Sequence, residues 1–208
     1  MRKSADVVIL MQQNFDISDI TVLYPKRIDW DNWCAYRPDV PFSDSVVEVL
    51  GALSASLLKD RANRLYPDVT TFAFFCRKAN LLKLKRQYTD ESIRLGRGIV
   101  FHIAPSNVPI NFGYSLVAGL LAGNYNIVRV SSKEFPQVDM IVRHLYRLQQ
   151  ENDDIYNAVL NRIALVRYDH GGFGVCYNSY EYRYGHVLLY GWWSPTLQPR
   201  CATLCILE

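Results

Sequence analysis

Between residues 98 and 168 the chain alternates short apolar runs with amphipathic stretches. Three apolar runs have the length and composition of buried strands, and they cover residues 99–104, 126–130 and 163–166. Two stretches between them repeat apolar residues at helical spacing, and they cover residues 109–122 and 136–150. The pattern predicts a βαβαβ unit and therefore an α/β fold, because such units wind right-handed into a parallel sheet.

A polar turn follows each of the first two predicted strands. The first turn is Pro105-Ser106-Asn107, and the second runs from Arg129 to Lys133. Parallel sheets bind ligands at the carboxyl ends of their strands, so these two turns are the predicted place of a site. The second turn brings two cations and two hydroxyls to this edge. They suit the ribose or phosphate of a nucleotide, and they equally suit an ordinary charged surface loop.

Asn107 has two interpretations. Its side-chain oxygen could cap the following helix, and the pattern alone favours this role. Alternatively, its amide could donate to an oxyanion that develops on a thioester or an aldehyde.

The sequence divides into three parts: a helical and irregular part over 1–94, the βαβαβ core over 95–170, and an atypical tail over 171–208. In the first part, helices are predicted over 44–59 and 68–88, with one or two short strands in 6–40. The buried stripe of the helix over 68–88 is predicted to comprise Val69, Phe72, Phe75, Cys76, Ala79 and Leu82.

The tail differs from the rest of the chain. It has four charged residues in 38 positions and neither helical nor strand periodicity.

Charge and composition exclude several function classes. The formal net charge of +3, without a long block of like charges, does not favour a nucleic-acid partner. No apolar run reaches the roughly 18–20 residues that span a bilayer. The amino-terminal sequence does not read as a signal peptide. Five cysteines without paired spacing indicate a reducing, cytoplasmic environment.

Other chemically active residues give weak signals. His102 lies within an apolar strand, so we expect a core histidine rather than a catalytic one. No His, Cys, Asp or Glu residues have metal-ligand spacing, and we predict no metal site. Cys34 and Cys76 are interpreted as packing residues. No partner base can be assigned to the three remaining cysteines, which are Cys176, Cys201 and Cys205.

Three ordered stretches resemble a known family. They read HIAPSNVP over 102–109, SLVAGLLAGN over 115–124 and NIVRVSSK over 126–133. They resemble the long-chain acyl-CoA reductases, the LuxC-type fatty acid reductases of bacterial bioluminescence, within the aldehyde dehydrogenase superfamily. The resemblance covers roughly residues 95–168. It implies an aldehyde dehydrogenase-like fold in which this parallel sheet is part of a dinucleotide-binding domain.

The resemblance also implies a reaction. A long-chain acyl-CoA or an acyl-protein is reduced to a fatty aldehyde by NADPH, through attack of a cysteine thiolate on the acyl group. Asn107 matches the asparagine of the oxyanion hole. The residues implied to bind the cofactor are Ala104, Pro105, Ser106, Arg129, Ser131, Ser132 and Lys133.

The second turn departs from the superfamily pattern in a way that favours NADP(H) over NAD(H). Arg129 takes the place of the usual lysine, and Ser132 takes the place of the usual glutamate. A glutamate would bind a free 2′-hydroxyl and repel a 2′-phosphate, whereas Arg129 and Lys133 attract the phosphate.

The region that carries the nucleophilic cysteine in the superfamily has no counterpart in this chain. We therefore expect an amino-terminal fragment that is inactive by itself, with homo-oligomers formed only by a full-length protein. The change of character near Tyr168 leads to the hypothesis that 171–208 is translated out of frame, with a genuine divergent tail as the alternative. A non-catalytic nucleotide-binding or acyl-CoA-binding module is the alternative function, and an α/β core without a ligand is a third interpretation.

Overall fold

A computed structural model of the chain describes residues 20–28, 33, 37–88, 92–105, 107–151 and 153–168, together with the backbone of 188–191. Its strands are β1 Thr21–Tyr24, β2 Ile99–Ile103, β3 Tyr125–Arg129, β4 Ile163–Arg167 and β5 Leu188–Gly191. Its α-helices are α1 Asp44–Lys59, α2 Pro67–Phe75, α3 Lys78–Tyr88, α4 Asn111–Leu121, α5 Pro136–Gln150 and α6 Asp154–Leu160. A 3₁₀ helix, Arg61–Leu65, connects α1 to α2.

The five strands form one sheet in the order β1-β4-β3-β2-β5. Strands β4, β3, β2 and β5 are mutually parallel, and β1 is added antiparallel to β4 at the edge. The predicted α/β class and the parallel sheet of βαβ units are therefore confirmed. The antiparallel edge strand adds to that prediction.

Strands β2, β3 and β4 are buried on both faces of the sheet, which explains why they read as nearly continuous apolar runs. Alternate residues of a strand point to opposite faces. Val128 and Leu165 join the large core formed with α1, α2, α4, α5 and α6. Ile127 and Val166 point to the other face and pack in a smaller cluster with Trp33.

The strand order contains a reversal. The chain passes from β2 to β3 to β4 in one direction, whereas β5 lies on the other side of β2. In open α/β sheets the crevice for a ligand lies outside the carboxyl ends of the strands where the order reverses. Here that point lies at the carboxyl ends of β2 and β5, where Ile103 pairs with Gly191.

The turn after α4 fixes how the chain enters β3. Gly123 adopts a positive φ of 82°, which a residue with a side chain rarely adopts. The next side chain, Asn124, accepts hydrogen bonds through its Oδ1 from the backbone nitrogens of Arg97 at 2.7 Å and Gly98 at 3.3 Å. The two strands of the first βαβ unit are thereby held together at their amino ends.

The prediction of a single helix over 68–88 is wrong, because the chain turns at Cys76 and Arg77 between α2 and α3. The Nδ2 atom of Asn80 donates to the Phe75 carbonyl at 2.7 Å and satisfies the end of α2. The turn shifts the buried face of α3 to Leu81. The predicted core residues Ala79 and Leu82 are exposed instead.

Other element boundaries differ less from expectation. The predicted helices over 44–59 and 136–150 are confirmed as α1 and α5. The helix predicted over 109–122 begins later, at Asn111. Helix α6 was not predicted; it begins after Asp153, whose Oδ1 accepts from the nitrogens of Ile155 and Tyr156.

None of the helices within the described ranges is long and apolar enough to cross a membrane.

Candidate functional site

The two predicted polar turns begin at neighbouring positions of the sheet. Ile103 of β2 pairs with Arg129 of β3, and the nitrogen of Ala104 donates to the Arg129 carbonyl at 3.1 Å. Both turns therefore leave the sheet at the same edge, beside the reversal of strand order. The parallel pairing of β2 and β3, which the sequence predicts, decides this juxtaposition.

The first turn offers an accessible amide. Ala104 is buried and Pro105 is half-buried, whereas Asn107 is exposed. Ser106 lies outside the described residues. The Asn107 side chain has no hydrogen-bond partner within the described part of the chain. Its amide is thus open to a ligand at the end of β2.

Asn107 does not cap α4, so the role that the pattern favoured is wrong. The residue before the helix is Ile110, and α4 has no side-chain cap. The nitrogen of Asn111 instead donates to the Val108 carbonyl at 3.3 Å, and that of Gly113 donates to the Ile110 carbonyl at 2.9 Å. Backbone groups of an extra turn satisfy the start of the helix and leave Asn107 outside it.

The second turn begins with a buried arginine. Arg129 is only 8% exposed. Its Nη2 donates to the Tyr168 carbonyl at 3.1 Å, and its guanidinium lies 5.0 Å from the centroid of the Tyr168 ring. These contacts tie the end of β3 to the residue after β4. In this arrangement Arg129 holds the edge of the sheet together more than it faces a ligand.

The residues after Arg129 form a compact turn. The buried Ser131 accepts through its Oγ from the Lys133 nitrogen at 3.0 Å. The Ser131 carbonyl accepts from the Nε of Arg167 at 3.2 Å. Ser132 and Lys133 are exposed at the tip. Of the predicted cofactor residues in this turn, these two are the most accessible.

Sequence reasoning missed Arg167 and Tyr168. A signal was present, because both residues directly follow the third predicted apolar run, as Ser131 to Lys133 follow the second. Applying the strand-end argument to all three strands would have found them.

His102 is a core residue, as predicted. Its Nε2 lies 2.9 Å from the Oδ1 of Asn126, within the interface of the sheet and α4. Burial lowers the pKa of His102, and the hydrogen bond to Asn126 opposes this effect without reversing it. The imidazole therefore stays neutral near pH 7.

Residues 77–174, just under half of the chain, match the family model "Acyl-CoA reductase (LuxC)". The matched segment contains both turns and all three strands that carry the candidate site. The predicted resemblance to the LuxC-type acyl-CoA reductases is confirmed.

Solved structures also match. One is the crystal structure of a protein assigned as an aldehyde dehydrogenase, from Burkholderia cenocepacia, with 17% sequence identity and a TM-score of 0.44 over 68% of this chain. The match covers 32% of that protein, so this chain spans about a third of its length. No curated protein matches the chain.

A nucleophilic thiolate of the kind used by acyl-CoA reductases is not found among the described residues. Cys76 is the cysteine within them, and it is buried between α2 and α3. Burial raises the pKa of its thiol to about 12, so it stays protonated at neutral pH. The other four cysteines lie outside the described part. Within that part, no group of three or more His, Cys, Asp or Glu side chains is placed to hold a metal ion.

Proposed function

We propose that this chain carries the NADP(H)-binding part of a cytoplasmic reductase that converts long-chain acyl-CoA or acyl-protein to fatty aldehyde, as in bacterial bioluminescence. The reversal of strand order beside the turns at Ala104–Asn107 and Arg129–Lys133 is the observation that carries this proposal. It is the arrangement in which α/β sheets bind dinucleotides. The family match, which covers both turns, supports the reaction class.

The residues of the two turns suit the two ends of the reaction. The exposed Lys133 and Ser132 would bind the adenosine side of the cofactor, and Ser131 would hold the shape of their turn. The exposed amide of Asn107 would donate to the oxyanion that forms on the acyl group. The bound cofactor would supply the hydride. Arg129 would hold the start of the second turn in place through its contacts with Tyr168.

A nucleotide titration of the 208-residue chain tests this proposal. We expect NADPH to bind and to raise the melting temperature. Lys133→Glu should weaken NADPH about tenfold or more, because it replaces an attractive charge with a repulsive one. Lys83→Glu, on the exposed face of α3, is the matched control and should leave the affinity unchanged. Arg129→Glu would bury an unpaired carboxylate and would report on folding instead.

An activity measurement completes the test. With long-chain acyl-CoA present, this chain by itself should consume no NADPH above a control lacking protein. Turnover well above that control would show that the chain catalyses the reduction by itself, and would contradict a role limited to cofactor binding. Binding of acyl-CoA without NADPH would support a non-catalytic acyl-CoA-binding module, and binding of neither would support an α/β core without these ligands.

A further inference from the structure

Arg167 is fixed against the turn that follows β3. It is the last residue of β4, the strand next to β3 in the sheet. Its Nε donates to the Ser131 carbonyl at 3.2 Å, and the Oγ of the same serine accepts from the backbone nitrogen of Lys133 at 3.0 Å. Ser131 thus anchors two cationic residues, one from each side of the turn.

Neither cation is neutralised within the described part of the chain. Some other cations in that part do pair with carboxylates, as Arg162 does with Asp39 at 2.6 Å and Lys85 with Asp44 at 2.8 Å. Arg167 and Lys133 have no such partner among the described residues. Two uncompensated cations at the carboxyl edge of a parallel sheet form a local positive potential that suits an anion.

The guanidinium of Arg167 has donors to spare. Its Nε is occupied by the Ser131 carbonyl, and its two Nη groups have no hydrogen-bond partner among the residues that the structure describes, so they can donate to a ligand. Arginine donates through a planar fork that matches the oxygens of a phosphate. Arg129 cannot serve in this way, because its guanidinium is buried against Tyr168.

We infer that Arg167, together with Lys133, binds the 2′-phosphate of NADP(H) and is the specificity-determining residue of the site. This inference rests on the proposed function, since it assigns the phosphate of the same cofactor. The 2′-hydroxyl of NAD(H) carries no charge that this pair could bind, so the two cations favour binding of NADP(H) over NAD(H). Glu134 is the carboxylate next to Lys133, and as an exposed side chain it only weakens the potential.

Calorimetric titration of the full chain with 2′,5′-ADP and with 5′-AMP tests this assignment. These probes share the adenosine 5′-phosphate and differ in the 2′-phosphate. In Arg167→Ala we expect 2′,5′-ADP and NADPH to bind about tenfold or more weakly, because a charge-assisted bond is lost. The affinities for 5′-AMP and NADH should stay within about twofold of the parent. Arg86→Ala, on the exposed end of α3, is the control that should change none of them.

Each other outcome overturns the inference in a recognisable way. Equal weakening of both probes in Arg167→Ala would show that Arg167 only shapes the turn, and the proposed function would survive. Unchanged binding of 2′,5′-ADP would exclude any role in phosphate recognition. A parent chain that binds neither NADPH nor 2′,5′-ADP would overturn the inference and the proposed function together. If Arg167→Ala does not fold, Arg167→Lys and Lys133→Ala replace it, and either must weaken 2′,5′-ADP more than 5′-AMP.

Discussion

At the residue scale, small and buried polar side chains set how closely α4 approaches the sheet. His102 and Asn126 meet at 2.9 Å beneath the helix, and the Nδ2 of Asn126 donates to the Asn124 carbonyl at 2.9 Å. Gly119 lies above them, and a Cβ there would overlap the Oδ1 of Asn126. The glycine therefore belongs to the packing of a polar pair, a role that the sequence motif does not reveal.

Gly119→Ala should destabilise the fold. The added methyl displaces the His102–Asn126 pair, and overpacking of this kind costs about 1–3 kcal/mol of the free energy of unfolding. Chemical denaturation of the purified chain measures this change.

Gly51→Ala is the matched control for that substitution. Gly51 also lies in a helix, α1, but a Cβ there would meet the Cβ of Lys78 at 3.3 Å, a contact that a shift of a few tenths of an ångström relieves. Helix propensity favours this alanine by about 1 kcal/mol. We expect a neutral or stabilising effect, and equal destabilisation by both substitutions would refute the packing argument.

At the scale of elements, amphipathic helices were predictable and interruptions were not. Helices α1 and α5 begin and end where the periodicity predicts, since each has one apolar face and a polar remainder. The sequence at the break between α2 and α3 contains no Gly or Pro that would predict it. Cys76 and Leu81 are both fully buried, although a straight helix would place residues five positions apart about 140° from each other around its axis.

The short helix α6 depends on its cap. The Oδ1 of Asp153 accepts from two backbone nitrogens, at 2.8 Å and 3.1 Å. Asp153→Ala should lower the free energy of unfolding by about 1 kcal/mol, because those donors lose their partner. Thermal unfolding followed by circular dichroism provides the measurement.

Asp154→Ala is the control for the cap. Asp154 is exposed in the first turn of α6 and lacks a cap contact, so only a few tenths of a kcal/mol of dipole stabilisation are at stake. If both substitutions cost the same, the cap is not what stabilises the helix.

At the scale of the whole molecule, α5 is joined to α1 and the 3₁₀ helix through a buried histidine. His144 has 0% exposure. Its Nδ1 lies 2.7 Å from the Oγ of Ser56, and its Nε2 lies 3.2 Å from the Nδ2 of Asn63 and 3.4 Å from the Oδ2 of Asp60. Burial lowers the pKa of His144, Arg147 and Arg143 add to this effect, and Asp60 opposes it.

Stability should therefore decrease as the solution becomes acidic. Because the folded pKa values of His144 and His102 lie below the unfolded value, the unfolded chain binds protons more readily. The stability that these two histidines contribute is complete above about pH 6.5, and it falls as the pH decreases from there towards the folded pKa values.

Denaturation midpoints between pH 7.5 and 5.5 test this dependence. His144→Gln should reduce the slope of stability against pH over this interval, even if the variant is less stable overall. An unchanged slope would mean that His144 does not titrate differently in the folded and unfolded states.

The sequence by itself determined the α/β class, the order of the three strands β2, β3 and β4 with the helices α4 and α5 between them, and the two turns of the candidate site. Each follows from local information, because hydrophobic periodicity reports which side of an element is buried. The strand-end argument also placed Asn107 and Lys133 at the same edge.

The tertiary structure decided what each residue at that edge can do. It buried Arg129 against Tyr168, removed Asn107 from the start of α4, and brought Arg167 to Ser131. It also placed β5 beside β2, which creates the reversal of strand order. These outcomes depend on contacts between residues far apart in the chain, and local periodicity contains no information about such contacts.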